Sequence, residues 1–352
     1  MPRERPADDG AIAIIEALEW QRAYCGSAGS PMAAALLSAL IDDLAGPRVL
    51  ADVISEQWRF GDLPGLRLMS VVHRLALERR APLVALHCPT LGGSIPSGDE
   101  ALRVWQAAVV QCVIENPDEV QRGLAQVPQT NETGRARLLR GAMSRLGPQP
   151  VRLVELCASA GLNLRADHLP GDPALEVGPL PPVIERVGCD LAPIDPATPE
   201  GRTLLSSYVW IDDVERFARL SHALDVAADI PVQLVQADAA DFAESLTVVP
   251  GATTVVWHSA MWVYLDVNTR SRILAAFAAL ASSATPEAPL AHVSWEWRPT
   301  GTVDGEPFAL IMRRWGAADA DGRPRVIARG HSHGPGAHAV DELLDREPLA
   351  DA

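Results

Sequence analysis

The sequence contains no lysine: all thirty of its basic residues are arginine. That excludes lysine Schiff-base chemistry, a lysine-bound pyridoxal phosphate included, and the phosphate loop G-x-x-x-x-G-K-[ST]. Cysteine is scarce; the five, at 25, 88, 112, 157 and 189, form no C-x-x-C pair and are odd in number, which predicts a reduced cytoplasmic protein. No window approaches the roughly 20 apolar residues that span a bilayer. The opening residues, MPRERPADDG, lack the apolar centre of a secretion signal, so no membrane partner is expected. A formal charge of -15 repels phosphate backbones, and no dense arginine tract with interleaved aromatics offsets it, which argues against nucleic acid as a partner. What remains is a chain of 352 residues, 48% of them apolar, ample for a buried core and for more than one unit.

Along the chain two patterns follow one another. Residues 1–10 are polar and proline-containing and are expected to be disordered. From 11 to 148 the apolar spacing is helical, with Ser30-Pro31 as a cap and first helical position and further helices over 49–58, 66–78, 100–114 and 132–146. A loop is expected at 89–99. From 149 to 345 apolar runs at 151–157, 183–191, 231–237, 253–258 and 289–295 alternate with helical stretches near 202–228 and 269–283, the pattern of a parallel sheet with crossover helices. Residues 325–328 and the tail suit antiparallel edge strands. The expected fold is α/β: a Rossmann-like sheet behind an all-helical domain that serves as lid and specificity element.

The segment 151–164, VRLVELCASAGLNL, concentrates the chemistry. A buried strand ends in an acid, Glu155, and small residues follow at alternate positions, Cys157, Ser159 and Gly161. Small residues let the backbone turn tightly against a ligand, and a helix beyond such a turn offers free N–H groups. The dinucleotide fingerprint fails, because its third small residue would fall on Leu162. Two patterns survive. One is a G-x-S-x-G-like nucleophile elbow, Cys157-Ala158-Ser159-Ala160-Gly161, with Ser159 as nucleophile, Asp238 or Asp241 as acid and His258 or His331 as base. The other resembles the first motif of the S-adenosylmethionine-dependent methyltransferases, an acid followed by small residues at plus two, four and six.

That second resemblance continues along the chain. VIERVGCD, ending in Asp190, resembles the second strand, whose terminal acid takes the ribose hydroxyls; PVQLVQAD resembles the third, with Asp238 at the adenine amino group. TTVVWHSAMWVYL resembles the fourth strand and the segment where substrate sits. The resemblance implies S-adenosylmethionine as cofactor, held by Glu155, Cys157, Ser159, Gly161, Asp190 and Asp238. It also requires an insertion around 170–182, and Cys157 and Ser159 stand where the motif has glycines.

Methyl transfer demands little of one catalytic side chain; His258, Tyr264 and Glu296 are the candidates. Gln129, Asn131, Glu132 and Arg135, just before the sheet, and Ser259, at a strand end, are candidate binders of a small-molecule substrate. His331-x-His333 with His338 suits a two-ligand metal clip, but no acid follows until Asp341, and no metal is assigned. From about residue 12 to 335 the chain resembles a family catalogued only as domain of unknown function number 2332. The residues that carry this are Gly29-Ser30-Pro31, His73-Arg74-Leu75, Gln129-Thr130-Asn131-Glu132 with Arg135, Ser159-Ala160-Gly161-Leu162-Asn163-Leu164, Asp190 with Pro193, and His258-Ser259. It implies a methyltransferase-like sheet domain behind a helical one and supplies no reaction. A serine hydrolase and a non-catalytic ligand-binding protein with a degenerate pocket stay open beside the methyltransferase.

Overall fold

A computed structural model describes residues 11–47, 49–54, 57–59, 62–298, 307–317 and 320–344; the expected disorder of 1–10 lies outside them. The chain forms two compact units. The first takes the chain up to Thr130 together with Thr198–Ser221, and the second takes Asn131–Ala197 and the chain from His222 onward.

In the first unit a ribbon of β1 (Ala11–Ala13) and β2 (Gln57–Arg59) accompanies the helices α1 (Ile14–Ser27), α2 (Pro31–Ala45), α3 (Pro64–Leu77), α4 (Pro82–Ala85), α5 (Asp99–Glu115) and α6 (Pro117–Ala125). Pro31, Pro64, Pro82 and Pro117 open four of these, where the missing N–H removes no helical bond and the fixed φ suits the first turn. Their apolar faces meet in one core that includes Leu18, Leu36, Leu40, Leu68, Val72, Trp105 and Val113. The helix expected over 49–58 is instead a 3-10 turn at Val49–Asp52 followed by β2. The Leu50 N–H is held by the buried Asp43 carboxylate at 2.8 Å, and pairing with β1 overrides local propensity for Gln57–Arg59.

After α7 (Ala136–Met143), which belongs to the second unit, α8 (Pro199–Ser207) returns to the first. Polar contacts explain why. His73, fully buried on α3, donates from Nδ1 to the Val209 carbonyl at 2.8 Å and meets Thr90 Oγ1 at 3.0 Å through Nε2. Asp212 accepts from the Met32 N–H at 2.7 Å and from the Ser30 hydroxyl, capping α2 from 180 residues away. The single helix expected over 202–228 is therefore broken: α8 ends at Ser207, residues 208–213 pack into the helical core through Trp210 and Ile211, and α9 (Val214–Asp229) follows. No helix among the described residues is long and apolar enough to cross a membrane.

The second unit is a mixed α/β layer. Its strands are β3 (Val151–Leu156), β4 (Val183–Asp190), β5 (Gln233–Gln236), β6 (Thr253–Ser259), β7 (Leu290–Trp297), β8 (Phe308–Trp315), β9 (Arg325–Gly330) and β10 (His338–Leu343). They form one sheet in the order β10-β9-β8-β7-β6-β3-β4-β5. The five strands from β7 to β5 run parallel, while β8, β9 and β10 form an antiparallel meander. β3, β6 and β7 are buried along nearly their whole length, as central parallel strands are. The helices α10 (Ala239–Ser245) and α11 (Val267–Ser282) follow β5 and β6, and Phe242, Ile273 and Phe277 pack with Val154, Val187 and Val256. The antiparallel strands at 325–328 and in the tail are present as β9 and β10. β8 was not expected; it joins these edge strands to β7 and extends the antiparallel part of the sheet to three strands.

Candidate ligand site

The chain leaves β3 for β4 and β5 on one side and later returns to place β6 and β7 on the other. Open α/β sheets bind ligands where the order reverses, outside the carboxyl ends of the strands. That point lies between β3 and β6 and is bounded by the residues after Leu156 and after His258.

Beyond Leu156 the backbone enters the left-handed region three times, at Cys157 (φ 53°), Ser159 (φ 53°) and Gly161 (φ 63°). Only glycine adopts this without strain, so the loop is held by its surroundings. The Ala158 N–H donates to the Cys189 carbonyl at 2.8 Å, and the Ser159 N–H to Asp190 Oδ2 at 2.8 Å. The Gly161 N–H closes back on the Ala158 carbonyl at 2.7 Å. Gly188 admits Ala158, since a Cβ there would sit 2.8 Å from the Ala158 methyl, and a Cβ on Gly161 would meet Leu234 and Val232 at 3.1 Å. The helix expected after this turn is a short 3-10 helix, Asn163–His168, which offers no N-terminal dipole site. Arg165 instead folds under the loop, donating to the Gly161 carbonyl at 2.9 Å and the Ile230 carbonyl at 2.8 Å, with its pKa drawn down to about 10 by burial.

Around the turn stand the expected acids. Asp190, at the end of β4, accepts from Ser159 through one oxygen and from the Ala192 N–H at 3.0 Å through the other. Asp238, after β5, caps α10 by accepting from the Ala240 N–H at 2.8 Å. Cys157 is exposed, yet its thiol is held above the ordinary range, first by desolvation and then by Cys189, Asp190, Glu296 and Asp238. The Ser159 hydroxyl is buried without a hydrogen-bond partner.

Glu155 lies beneath the turn, 2% exposed and in register with Trp257 of β6. Burial raises its carboxyl to about 8, against the opposing pull of Asn163, Trp257 and Arg135. Its Oε2, Asn163 Oδ1 and Trp257 Nε1 are all buried without a hydrogen-bond partner. Neither Asn163 nor Trp257 was singled out from sequence, although Asn163 stands in the same run as Gly161; their approach to Glu155 depends on the fold.

The three catalytic candidates part company. His258 and Glu296 are fully buried and joined, Nδ1 to Oε1 at 2.8 Å, with His258 Nε2 3.0 Å from Nε2 of His292, which sequence reasoning passed over. Burial keeps His292 well below the ordinary histidine range, with His258, Arg313 and Arg298 acting the same way. Glu296 also accepts from the Met261 and Trp262 N–H groups at 3.3 Å, fixing the turn after β6, where Ala260 has φ 50°. Tyr264 stands on the surface, 59% exposed.

Of the substrate-binding candidates, Gln129 falls in the helical unit and the rest in the sheet unit. Asn131 accepts from the Leu162 N–H at 3.2 Å and so braces the loop, and Glu132 caps the following turn through the Gly134 N–H at 2.8 Å. Arg135 donates to the Ser332 carbonyl at 2.9 Å and reaches Ser259, carbonyl at 3.3 Å and hydroxyl at 3.4 Å. Among the described residues no group of three or more His, Cys, Asp or Glu side chains converges on a metal position.

The family model described as "Uncharacterized protein conserved in bacteria (DUF2332)" matches residues 15–338. No curated protein matches the chain.

Proposed function

Taking as premise that the chain belongs to the DUF2332 family, we propose that its sheet unit binds S-adenosylmethionine and transfers the methyl group to a small molecule. The observation that carries this reading is the strained turn 157–161 at the point where strand order reverses, tied by the Ser159 N–H to an acid at the end of the neighbouring strand. The residues present suit such a ligand. Asp190 is oriented by two backbone N–H groups for a vicinal diol, Asp238 stands at the end of the next strand, and the buried Ser159 hydroxyl has no partner within the protein.

When bound, the cofactor supplies an activated methyl group on a cationic sulfonium. The protein's task is then to position the two reactants and exclude water. The turn and Asp190 hold the nucleoside part, while Glu296 and His258 fix the segment 259–265, which carries Ser259 and Tyr264. Of the three candidates for taking a proton from the acceptor, Tyr264 is exposed at this edge, while His258 and Glu296 are buried and engaged with each other.

The serine-hydrolase reading keeps one favourable feature, the left-handed Ser159, but three of its four candidate partners, all except His331, are engaged elsewhere. His258 uses both ring nitrogens on Glu296 and His292, Asp238 caps α10, and Asp241 pairs with Arg272 at 2.6 Å. A fluorophosphonate probe is expected to leave Ser159 unlabelled. The test of the main reading is calorimetric titration with S-adenosylhomocysteine: micromolar binding by wild type, lost in Asp190→Ala, supports it, and no binding by folded wild type overturns it. Binding without turnover across a broad acceptor screen would favour a ligand-sensing protein.

A further inference from the structure

Glu155 occupies the penultimate position of β3, two residues before the turn 157–161 and between two parallel neighbours. It makes no ion pair among the described residues; the neutral side chains of Asn163 and Trp257 act on it, and its Oε2 has no partner within ordinary hydrogen-bond geometry. The charged groups that act on it or feel it are Arg135 ahead of α7, Arg165 under the turn and Asp190 at the end of β4, with the Cys189 thiol also near. Both arginines donate to carbonyl groups instead, Arg135 to Ser332 and Ser259, Arg165 to Gly161 and Ile230. A buried carboxyl without a counter-ion retains its proton, because desolvation penalises the charged form.

A cation arriving at the turn changes that balance, since an opposite charge within about 4–6 Å favours the ionised carboxyl. The methyl donor is a cationic sulfonium, whereas the product left after transfer is a neutral thioether. Building on the cofactor reading above, we infer that Glu155 is the specificity residue that distinguishes these two forms, releasing its proton to solvent when the sulfonium binds and keeping it when the thioether binds. Burial sets the carboxyl at about 8, so at neutral pH the proton is there to be lost. Sulfonium affinity therefore rises as pH approaches that value from below, thioether affinity does not, and the product is released in preference to the reactant.

The experiment is calorimetric titration at pH 7 in two buffers of different ionisation enthalpy, with S-adenosylmethionine and with S-adenosylhomocysteine, on wild type and on Glu155→Gln. The sulfonium is expected to release more protons than the thioether, by up to about one per site. Glu155→Gln should bind both ligands with equal proton counts and lose most of the preference for the sulfonium. Equal proton counts for the two ligands on wild type overturn the inference and leave the cofactor reading standing. Failure of both ligands to bind overturns the two together. Should Glu155→Gln not fold, the wild-type comparison alone decides.

Discussion

In the helical unit the side chain of His73 is fully buried, and both of its ring nitrogens find partners, on Val209 and Thr90. In the sheet unit Glu155 is also buried, and one of its oxygens finds none. The first arrangement ties a distant segment, 209–212, onto helices. The second stands at the carboxyl edge of parallel strands, beside an orphaned serine hydroxyl, an orphaned indole N–H and three consecutive alternate residues in the left-handed region. Buried polar groups are paired as a rule, so unmatched ones gathered beside a strained turn mark the region shaped for something other than its own stability.

The comparison breaks most severely at the buried network of His258, His292 and Glu296 in the sheet unit. Glu296→Ala leaves His258 Nδ1 and the Met261 and Trp262 N–H groups without their acceptor, and is expected to cost about 3–5 kcal/mol, read by urea denaturation. Glu296→Gln keeps an acceptor oxygen and should cost much less.

Opposite pH dependences sharpen the comparison next. Glu155 has its folded pKa raised to about 8 from an ordinary carboxyl value of 4.5, so the unfolded chain ionises first as pH rises. Stability is lost progressively between those values and levels off above the upper one, which amounts to about 3 kcal/mol at pH 7. Glu155→Gln should therefore melt higher than wild type at neutral pH, with the difference vanishing on acidification below the ordinary carboxyl range. His73 has its folded pKa lowered to about 4 from 6.5 by burial, so the unfolded chain gains its proton first as pH falls. The helical unit loses stability through that window, again by about 3 kcal/mol at its lower end, and His73→Asn should flatten this limb in a pH series of melting curves.

Smaller effects belong to the turn itself. Gly161→Ala places a methyl 3.1 Å from Leu234 and Val232 at φ 63° and is expected to cost about 1–2 kcal/mol while loosening the ligand site. Ser159→Gly relieves a left-handed serine and removes an unpartnered hydroxyl; a gain of up to about 1 kcal/mol is expected by thermal denaturation of the ligand-free protein, with weaker cofactor binding.

Much of the sheet unit was legible because its central strands β3, β6 and β7 are buried along nearly their whole length and read as largely apolar runs. β3, β4, β6 and β7 fall within a residue or two of their apolar runs, and Asp190 and Asp238 end or follow strands as expected. β8 was not legible: FALIMRRW carries two arginines before its final tryptophan, and its strand identity depends on antiparallel pairing with β7 and β9. Nor was the break at 208–213, whose apolar residues look helical in sequence but are drawn into another core through His73 and Asp212. The contacts that give the site its character join residues far apart in sequence. His258 meets His292 and Glu296 across 34 and 38 positions, and Glu155 meets Trp257 only through strand register.

Hydrogen–deuterium exchange of wild type with and without saturating S-adenosylhomocysteine tests the central claim most directly. Protection is predicted to concentrate at 158–162 and 190–194, with α3 and its buried His73 unchanged. Unaltered exchange at both of those segments, in protein shown to be folded, would contradict a cofactor site at the turn.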